Sequence, residues 1–343
     1  MTQSFKFDLQ CFAGNTAQFA TYADFASRDG FDPATRKIIE YQAQTNRILD
    51  DMLVTEANEQ TRCVTTVRTK LPEVAWRMLN KGTKPGKSGT SQVSFTSGGT
   101  EALAKVDERL LKLNGGIGSE KANDWRLGEN SAYQQAMNKK MALTTFYGDE
   151  NISPGGFTGL GAYYYSTDLE ECSAADYVID AGGTGSNLTS IYFVVWGQNQ
   201  IHGFYPQGTK LGFEYRDNGR QKAFDDEGGE LYVYESQYNW DLGIAVRDYR
   251  YGVRIANLDL ATISGDDLID CLIDGYHRLE DPDAGKAAIY LNRQANTRID
   301  QLVAKKVNVN LTIDTFAGKK TTHFWGMPFR RCDGILRNET QVV

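Results

Sequence analysis

The segment Glu129–Gly148, ENSAYQQAMNKKMALTTFYG, constrains the fold more than any other part of the sequence. It contains no proline, has glycine only at its last position, and is rich in the good helix formers Gln, Ala, Met, Lys and Leu. Asn130 or Ser131 suits the N-cap of a helix, and Gly148 suits the left-handed turn that ends one. Apolar residues recur at three- and four-residue spacing: Tyr133, Ala136, Met137, Met141 and Leu143 or Thr144. The pattern predicts a long helix over 129–147, a spine against which both halves of the chain fold.

A polar, glycine-rich stretch precedes this helix. Residues 62–76, RCVTTVRTKLPEVAW, have the β-branched, alternating character of a strand. Asn80–Gly99 follows, where Gly, Lys, Ser and Thr dominate and no large hydrophobic residue occurs before Val93. Loops longer than about 12 residues are uncommon in compact domains unless they have a function. Two interpretations stay open: a disordered linker, or the exposed tip of a long hairpin over 62–105 that reaches over a neighbouring subunit.

The first 34 residues have the pattern of an arm. Phe5, Phe7 and Phe12 lie in small apolar clusters among Asn, Gln, Thr, Ser and Gly. Such a segment buries too little apolar surface to fold alone, so we expect it to dock on a neighbour or to stay mobile. From 35 to 61, apolar residues at helical spacing predict a helix: Ile38, Tyr41, Ile48, Leu49, Met52 and Leu53.

The chain after the long helix has mainly strand character. Ser190–Trp196, SIYFVVW, is a continuous apolar run that predicts a strand buried on both faces. Alternation within Glu230–Leu260 predicts two or three long antiparallel strands. Ser264 opens a capped helix, Ala287–Leu291 is a short strand, and Asn292 caps a second helix. With the long helix upstream, these elements predict a mixed α+β fold.

Composition limits the class of protein. A chain of 343 residues suits about two domains, and 41% hydrophobic with 24% charged residues is typical of a soluble globular protein. No stretch approaches the ~18 apolar residues of a membrane span, and the N-terminus lacks the apolar block of a signal peptide. We therefore expect cytosolic synthesis and no membrane partner. The net charge, 37 − 44 = −7, disfavours a protein that reads nucleic-acid sequence, because its summed field repels phosphate.

No catalytic constellation is evident in the sequence. His202, His277 and His323 stand alone, and the five scattered cysteines form no CxxC pair, which argues against a disulfide framework and a zinc site. The carboxylate cluster Asp225–Glu227 is typical of a solvated turn, and Asp266–Asp267 of a helix start. A carboxylate-dependent hydrolase built on the first cluster is the remote alternative. We expect no enzyme, no cofactor and no metal.

Several segments together resemble one known family. They are FDLQCFAG (7–14), KVDERLLKLNG (105–115), QQAMNKKMALTTFYG (134–148), FTGL (157–160), DAGGTGSNLTSIYFVVWG (180–197), YPQG (205–208), GIAVRDYRYGVRIANLDL (243–260) and FWGMPFRRCDGIL (324–336). Their order and spacing resemble those of the major capsid proteins of tailed bacteriophages with the HK97-type fold. The similarity covers most of the chain from 105 to 336, and it is carried by the collinear order rather than by a single motif.

The resemblance implies a specific architecture: an N-terminal arm, an extended hairpin called the E-loop, a peripheral domain with a long spine helix, and an axial domain around the hexamer and pentamer axes. The corresponding residues are 1–34 for the arm, 35–61 for an N-terminal helix, 62–105 for the E-loop, 106–263 for the peripheral domain with the spine helix 129–147, 264–337 for the axial domain and 338–343 for a C-terminal tail. The boundaries within 150–230 are marked least clearly.

The resemblance also implies a function. A capsid protein of this type self-assembles as hexamers and pentamers into an icosahedral shell around packaged double-stranded DNA, in the host cytoplasm, and stays in the virion. Its expected partners are a scaffolding protein, a portal and a decoration or cement protein. Lys81, Lys84 and Lys87 at the hairpin tip and Phe5, Phe7 and Phe12 in the arm are the candidate contacts between subunits. The alternative is another structural virion protein, such as a tail-tube or decoration protein.

Overall fold

A computed structural model describes residues 45–113, 116, 118–224, 228–304, 311–316 and 319–343. The predicted arm, 1–34, and the first part of the predicted helix 35–61 lie outside these residues. The chain divides into two compact units. The smaller unit includes the described parts of Ala102–Ala132 and Tyr215–Tyr238, and the larger unit includes those of Gln42–Glu101, Tyr133–Glu214 and Asn239–Val343. Among these described residues, no helix is long and apolar enough to cross a membrane.

The helices and strands are numbered here in chain order. The helices are α1 Ile48–Asp51, α2 Glu108–Leu113, α3 Glu120–Tyr147, α4 Leu160–Tyr163, α5 Gly265–Arg278 and α6 Arg293–Ala304. The strands are β1 Val54–Glu56, β2 Arg62–Lys70, β3 Gly89–Thr96, β4 Gly98–Asp107, β5 Val178–Asp180, β6 Thr189–Trp196, β7 Ile201–Tyr205, β8 Gly212–Phe224, β9 Glu230–Val246, β10 Gly252–Leu258, β11 Lys286–Leu291, β12 Leu311–Phe316, β13 Lys319–Phe324 and β14 Met327–Arg331.

Strand β6 is the centre of the larger unit. The main sheet of this unit runs β12-β13-β14-β11-β6-β7-β9, and β6 also pairs antiparallel with β10. All eight residues of β6 are buried, which confirms the predicted strand with two covered faces. Tyr192, Val194 and Trp196 belong to one hydrophobic core, whereas alternate residues of β6 belong to another: Ile191, Phe193 and Val195. The apolar run is continuous because successive side chains enter different cores.

Two helices cover the second of these cores. In α5, the Ser264 hydroxyl accepts a hydrogen bond from the backbone N–H of Asp267 at 3.1 Å, as the sequence predicts for an N-cap. In α6, the Asn292 side chain accepts one from the N–H of Ala295 at 2.9 Å, so this predicted cap is also confirmed. The buried faces carry Leu268, Ile269 and Leu272 of α5 and Ala295, Ile299 and Leu302 of α6. Each large aliphatic side chain contributes roughly 1.5–3 kcal/mol through its burial.

The spine helix, α3, has 28 residues and starts before the predicted position. It begins at Glu120 and continues through Gly128, although a glycine inside a helix costs about 1 kcal/mol relative to alanine. Asn130 is therefore an interior residue and not the predicted cap. Its side-chain oxygen accepts a hydrogen bond from the Tyr238 hydroxyl within the smaller unit. Because Gly128 is followed by residues that suit a helix N-cap, the sequence predicted a helix that begins too late in the chain.

Gly148 ends α3 for a different reason from the predicted one. Its N–H donates to the Thr144 carbonyl at 2.8 Å, but its φ is not in the left-handed region. A Cβ at this position would clash with the carbonyl oxygens of Phe157 and Thr144. The residue is glycine because the following loop returns against the end of the helix, not because the backbone turns left-handed.

The predicted helix over 35–61 is wrong in its described part. Only the single turn α1 is helical there, and β1 follows it. The β-branched Val54 and Thr55 lie in β1, which pairs in parallel with Gly203 and Phe204 of β7. Pairing with the sheet has therefore overridden the weak helical periodicity of this segment.

The smaller unit contains parts of strands β4, β8 and β9. Arg126 links its elements by contacting the Asp217 carboxylate and the Ser236 hydroxyl, both at 3.0 Å. Lys105 lies 3.5 Å from the Glu235 carboxylate. Charged pairs, one between a helix and a strand and one between two strands, thus contribute to this unit. Among the described residues, its hydrophobic cluster contains only Val106 and Leu111, with Tyr234 packed against them.

Candidate assembly surfaces

A long antiparallel hairpin extends from the larger unit. Strands β2 and β3 pair from Arg62 opposite Thr96 to Lys70 opposite Gly89. The connection, residues 71–88, contains no helix or strand. Residues 62–96 therefore form a hairpin, as the hairpin interpretation predicted and the linker interpretation did not, and the reach of this hairpin over a neighbouring subunit stays a prediction. The tip was predicted at 80–99 and lies instead at 71–88, because the Ser/Thr-rich residues 89–96 form the returning strand.

The base of the hairpin is firmly anchored. Cys63 and Phe95 face each other across the strands, and both are buried. The Asn58 side chain accepts from the N–H of Val64 at 2.8 Å and donates to its carbonyl at 2.7 Å. Ser97 closes the other strand through two hydrogen bonds to the Thr61 carbonyl, at 3.0 and 3.1 Å. The strands therefore leave the core from a fixed position.

The loop at the far end exposes large apolar side chains. Val74, Trp76 and Leu79 have 94%, 102% and 95% of their surface accessible to solvent, and Leu71 and Met78 are also exposed. Contiguous exposed apolar residues on a soluble protein typically mark an interaction site. A tryptophan in such a position is the residue type most often found at the energetic centre of a protein interface. We call residues 71–79 the apolar loop.

The predicted contact lysines lie just beyond the apolar loop. Lys81, Lys84 and Lys87 are exposed, and none of them forms an ion pair with another described residue. They are available for carboxylates outside their own chain. The other candidate contacts, Phe5, Phe7 and Phe12, lie outside the described residues.

A second notable site ties the C-terminal tail to the sheet. Arg254 of β10 and Glu339 form a buried ion pair with a distance of 2.7 Å between Nη2 and Oε2. The same carboxylate accepts from the Ser190 hydroxyl and from the Tyr147 hydroxyl, both at 2.5 Å. Burial, together with the negative Glu339, raises the pKa of Tyr147 well above its usual value, so its hydroxyl stays protonated and donates. We call this group the tail clamp.

Other contacts hold the residues after the tail clamp. Asn257, at a positive φ of 55°, accepts from the N–H of Val342 and donates to its carbonyl, both at 2.8 Å. The Ser166 hydroxyl donates to the carbonyl of Val343 at 2.7 Å. The sequence analysis did not identify these residues. The only signal was the presence of Arg254 and Asn257 in the otherwise apolar run GVRIANL, since a buried polar side chain needs a partner.

The residues that raised the question of catalysis do not converge on one site. Asp225–Glu227 lies outside the described residues, and Asp267 belongs to the capped start of α5. His202 is fully buried, and burial with the nearby Arg247 charge lowers its pKa to about 4. In the described part of the chain, no three His, Cys, Asp or Glu side chains are placed to hold a metal ion.

Comparison with known proteins decides between the remaining interpretations. Residues 31–343, which are most of the chain, match the family described as major capsid protein GP7. The chain belongs to the major capsid protein GP7 family. This assignment confirms the resemblance found in the sequence and favours neither a tail-tube or decoration protein nor a hydrolase. No curated protein sequence matches the chain.

Solved structures agree with the GP7 family assignment. A chain from the near-atomic-resolution cryo-EM structure of bacteriophage epsilon15 has 29% identity and a TM-score of 0.75, covering 96% of this chain and 99% of that one. The bacteriophage JBD30 capsid has 11% identity and a TM-score of 0.49, covering 92% and 99%. The family match and the similarity to the epsilon15 chain show that this GP7-family chain is a tailed-phage major capsid protein of the HK97 type, and its function is to form the icosahedral shell of the virion.

Proposed function

We propose that this capsid protein assembles as hexamers and pentamers in which the apolar loop of each subunit lies on a neighbouring subunit. The observation that carries the proposal is the full exposure of Trp76 at the end of a hairpin whose base is anchored by Cys63 and Phe95. In such a contact, one surface of a subunit binds a different surface of the next subunit. Repeating this contact forms a closed ring when the rotation that relates successive subunits adds up to a full turn. Many such contacts, weak one by one, add up in a shell through multivalency.

The charges near the loop suit the same role. Lys81, Lys84 and Lys87 would pair with carboxylates of the adjacent subunit, which are abundant because the chain has 44 acidic residues. Phe5, Phe7 and Phe12 of the arm would pack on a neighbour in the same way. The shell would enclose double-stranded DNA, and the excess of negative charge would keep the wall from binding that DNA tightly everywhere.

The finer assignments follow from the capsid role. We infer that a scaffolding protein guides assembly in the host cytoplasm, that a portal occupies one vertex, and that a decoration or cement protein binds the outside. The role of the protein is geometric, without enzymatic activity, cofactor or membrane contact. The predicted arm, E-loop, peripheral domain and axial domain supply the parts that such a shell requires.

Serine substitutions in the apolar loop test the proposal. Trp76→Ser with Leu79→Ser removes the exposed apolar groups without touching either core, so the subunits should fold normally. We expect the concentration needed for assembly to rise about 30-fold or more, since an interface hot spot contributes at least about 2 kcal/mol. The matched control is Leu169→Ser with Leu211→Ser, which changes exposed leucines away from the loop. Equal effects of the two double variants would contradict the proposed contact.

A further inference from the structure

A cavity lined by arginines in the larger unit has no role in the account above. Its volume is about 560 Å³, and Arg293, Arg298 and Arg337 contribute to its wall together with Gln294, Thr297 and Gln301. Five of these residues belong to α6, and Arg337 comes from the tail just before the tail clamp. No carboxylate lines this cavity.

The arginines of this cavity lack acidic partners, although the chain has a net charge of −7. Several other arginines do contact carboxylates: Arg250, Arg254, Arg278 and Arg331 each do so within 3.0 Å. By contrast, Arg293, Arg298 and Arg337 form no ion pair with any residue that the structure describes. Three positive charges are therefore directed at one cavity without an internal counter-charge.

A buried polar relay joins the backbone segments that carry two of these arginines. The Asn292 side chain donates to the Thr189 hydroxyl at 2.8 Å, and this hydroxyl donates to the Leu336 carbonyl at 2.7 Å. Asn292 and Thr189 are each only 1% exposed. Arg293 directly follows Asn292, and Arg337 directly follows Leu336. The relay therefore holds the two backbone segments that carry these arginines beside each other, in the manner of a preorganised site.

Arg298 completes the group from farther along α6. Its Nη2 donates to the Ile263 carbonyl at 3.3 Å, which orients the guanidinium. Its Nε is buried and has no hydrogen-bond partner among the described residues. A buried donor left without a partner costs about 1–3 kcal/mol, and an anion that accepts a hydrogen bond from this Nε would remove that cost.

We propose that this cavity binds phosphate, either as a free phosphate species or as the phosphodiester backbone of a nucleic acid. Planar guanidinium groups match phosphate oxygens in a bidentate geometry. One carboxylate carries a single negative charge and would leave most of the three positive charges unpaired. A doubly charged phosphate, or two successive phosphodiesters, would neutralise more of them. Gln and Thr side chains are also common donors to phosphate oxygens. The site would bind locally an anion that the acidic chain as a whole repels.

Binding measurements on the full-length protein test this site. The probes are inorganic pyrophosphate, followed by calorimetry, and a fluorescently labelled single-stranded DNA, followed by anisotropy at low and at raised salt. Replacing the three arginines by glutamine (R293Q, R298Q, R337Q) should weaken binding at least about tenfold. The control R109Q, K139Q, R216Q removes the same charge from exposed positions and should bind like the wild type. The double variant R293Q, R337Q leaves the half-buried Arg298 intact and covers the case in which the triple variant fails to fold.

The two ligands distinguish the sources of phosphate. Binding of pyrophosphate alone, lost in the arginine variants, identifies a site for free phosphate. Binding of DNA that is lost in the same variants and weakens with salt identifies a site for the nucleic-acid backbone. Absence of binding to both probes, or equal loss in the arginine and control variants, overturns the proposal. Binding of a polyglutamate peptide in place of either probe would also overturn it, because the site would then take carboxylates of a protein partner.

Discussion

The Arg254 guanidinium lies 2.7 Å from the Glu339 carboxylate, and less than a tenth of either side chain is exposed. The two residues are 85 positions apart. Arg254 also donates to the Ser190 hydroxyl at 3.1 Å and to the Tyr164 carbonyl at 2.9 Å, so the guanidinium is well satisfied. This ion pair fixes the C-terminal tail on the central sheet, and β6 and β10 are thereby joined to the end of the chain.

Removing one member of this pair should destabilise the subunit strongly. We expect Glu339→Ala to lower the free energy of unfolding by about 3–5 kcal/mol, because Arg254 is left as an unpaired buried charge. The control is Glu230→Ala, which breaks the ion pair with Lys222 between half-exposed side chains and should cost at most about 1 kcal/mol. Urea unfolding of the unassembled subunit measures both. Similar losses in the two variants would show that the tail clamp is not a stabilising element.

The buried His202 should make the stability of the subunit pH-dependent. Its pKa is about 4 in the folded chain and has an ordinary value of 6.5. Below pH 6.5 the unfolded chain binds a proton that the folded chain refuses, so stability is full above pH 6.5 and falls as the pH approaches 4. The loss is about 1.4 kcal/mol per pH unit over this window. The variant His202→Gln lacks this titration, so the stability difference between the wild type and the variant should shrink on acidification. A difference in the free energy of unfolding that stays constant from pH 7 to pH 4.5 would contradict the lowered pKa of His202.

The close approach at the end of the spine helix gives a matched pair of glycine variants. Gly148→Ala introduces a Cβ against the carbonyl oxygens of Phe157 and Thr144. We expect it to lower the thermal midpoint of the subunit, with a cost of about 1–3 kcal/mol typical of overpacking. Gly155 in the same loop has open space around its Cβ position, so Gly155→Ala should be neutral or slightly stabilising. If Gly155→Ala lowered the thermal midpoint more than Gly148→Ala did, the loop would not return against the helix.

The lysines of the hairpin predict a dependence of assembly on ionic strength. Reversing the charge of Lys81, Lys84 and Lys87 to Glu should impair assembly most at low salt, since salt screens exposed charges beyond about 10 Å at 0.1 M. Light scattering at low and at raised salt measures the assembly of the wild type, of this variant and of the control variant described next. Charge reversal at the exposed Lys139, Lys140 and Arg109 changes the net charge equally and serves as the control. If the control impairs assembly as much as the hairpin variant, net charge rather than a local contact is responsible.

The sequence predicted the elements whose signals are local. The run SIYFVVW identified β6, and Ser264 and Asn292 identified two helix caps. The β-branched character of 62–76 identified one strand of the hairpin, although this strand ends at Lys70. The prediction failed where distant residues decide the outcome. Val54 forms a strand because β7 lies beside it, and Arg254 is tolerated in a buried strand because Glu339 returns to it from the tail. The first pairing leaves no trace in the local pattern, and the second leaves only a charged residue in an apolar run, which does not identify its partner.

The location of the candidate contact residues was predicted in part, and their contact with a neighbouring subunit stays a prediction. The lysines of the hairpin were identified from their glycine-rich context, and the structure places them in the exposed loop. The apolar loop was missed, because Leu71, Val74 and Trp76 continue the apolar content of the preceding strand and were assigned to it. An exposed tryptophan and a buried one look alike in sequence; only the length of the paired strands distinguishes them.

Negative-stain electron microscopy of the full-length protein, alone and with the proposed scaffolding protein, tests the capsid account most directly. We expect closed shells, or free hexameric and pentameric rings, and we expect both to be lost in the variant with Trp76→Ser and Leu79→Ser. Open tubes, or a single small oligomer under every condition, would contradict the account.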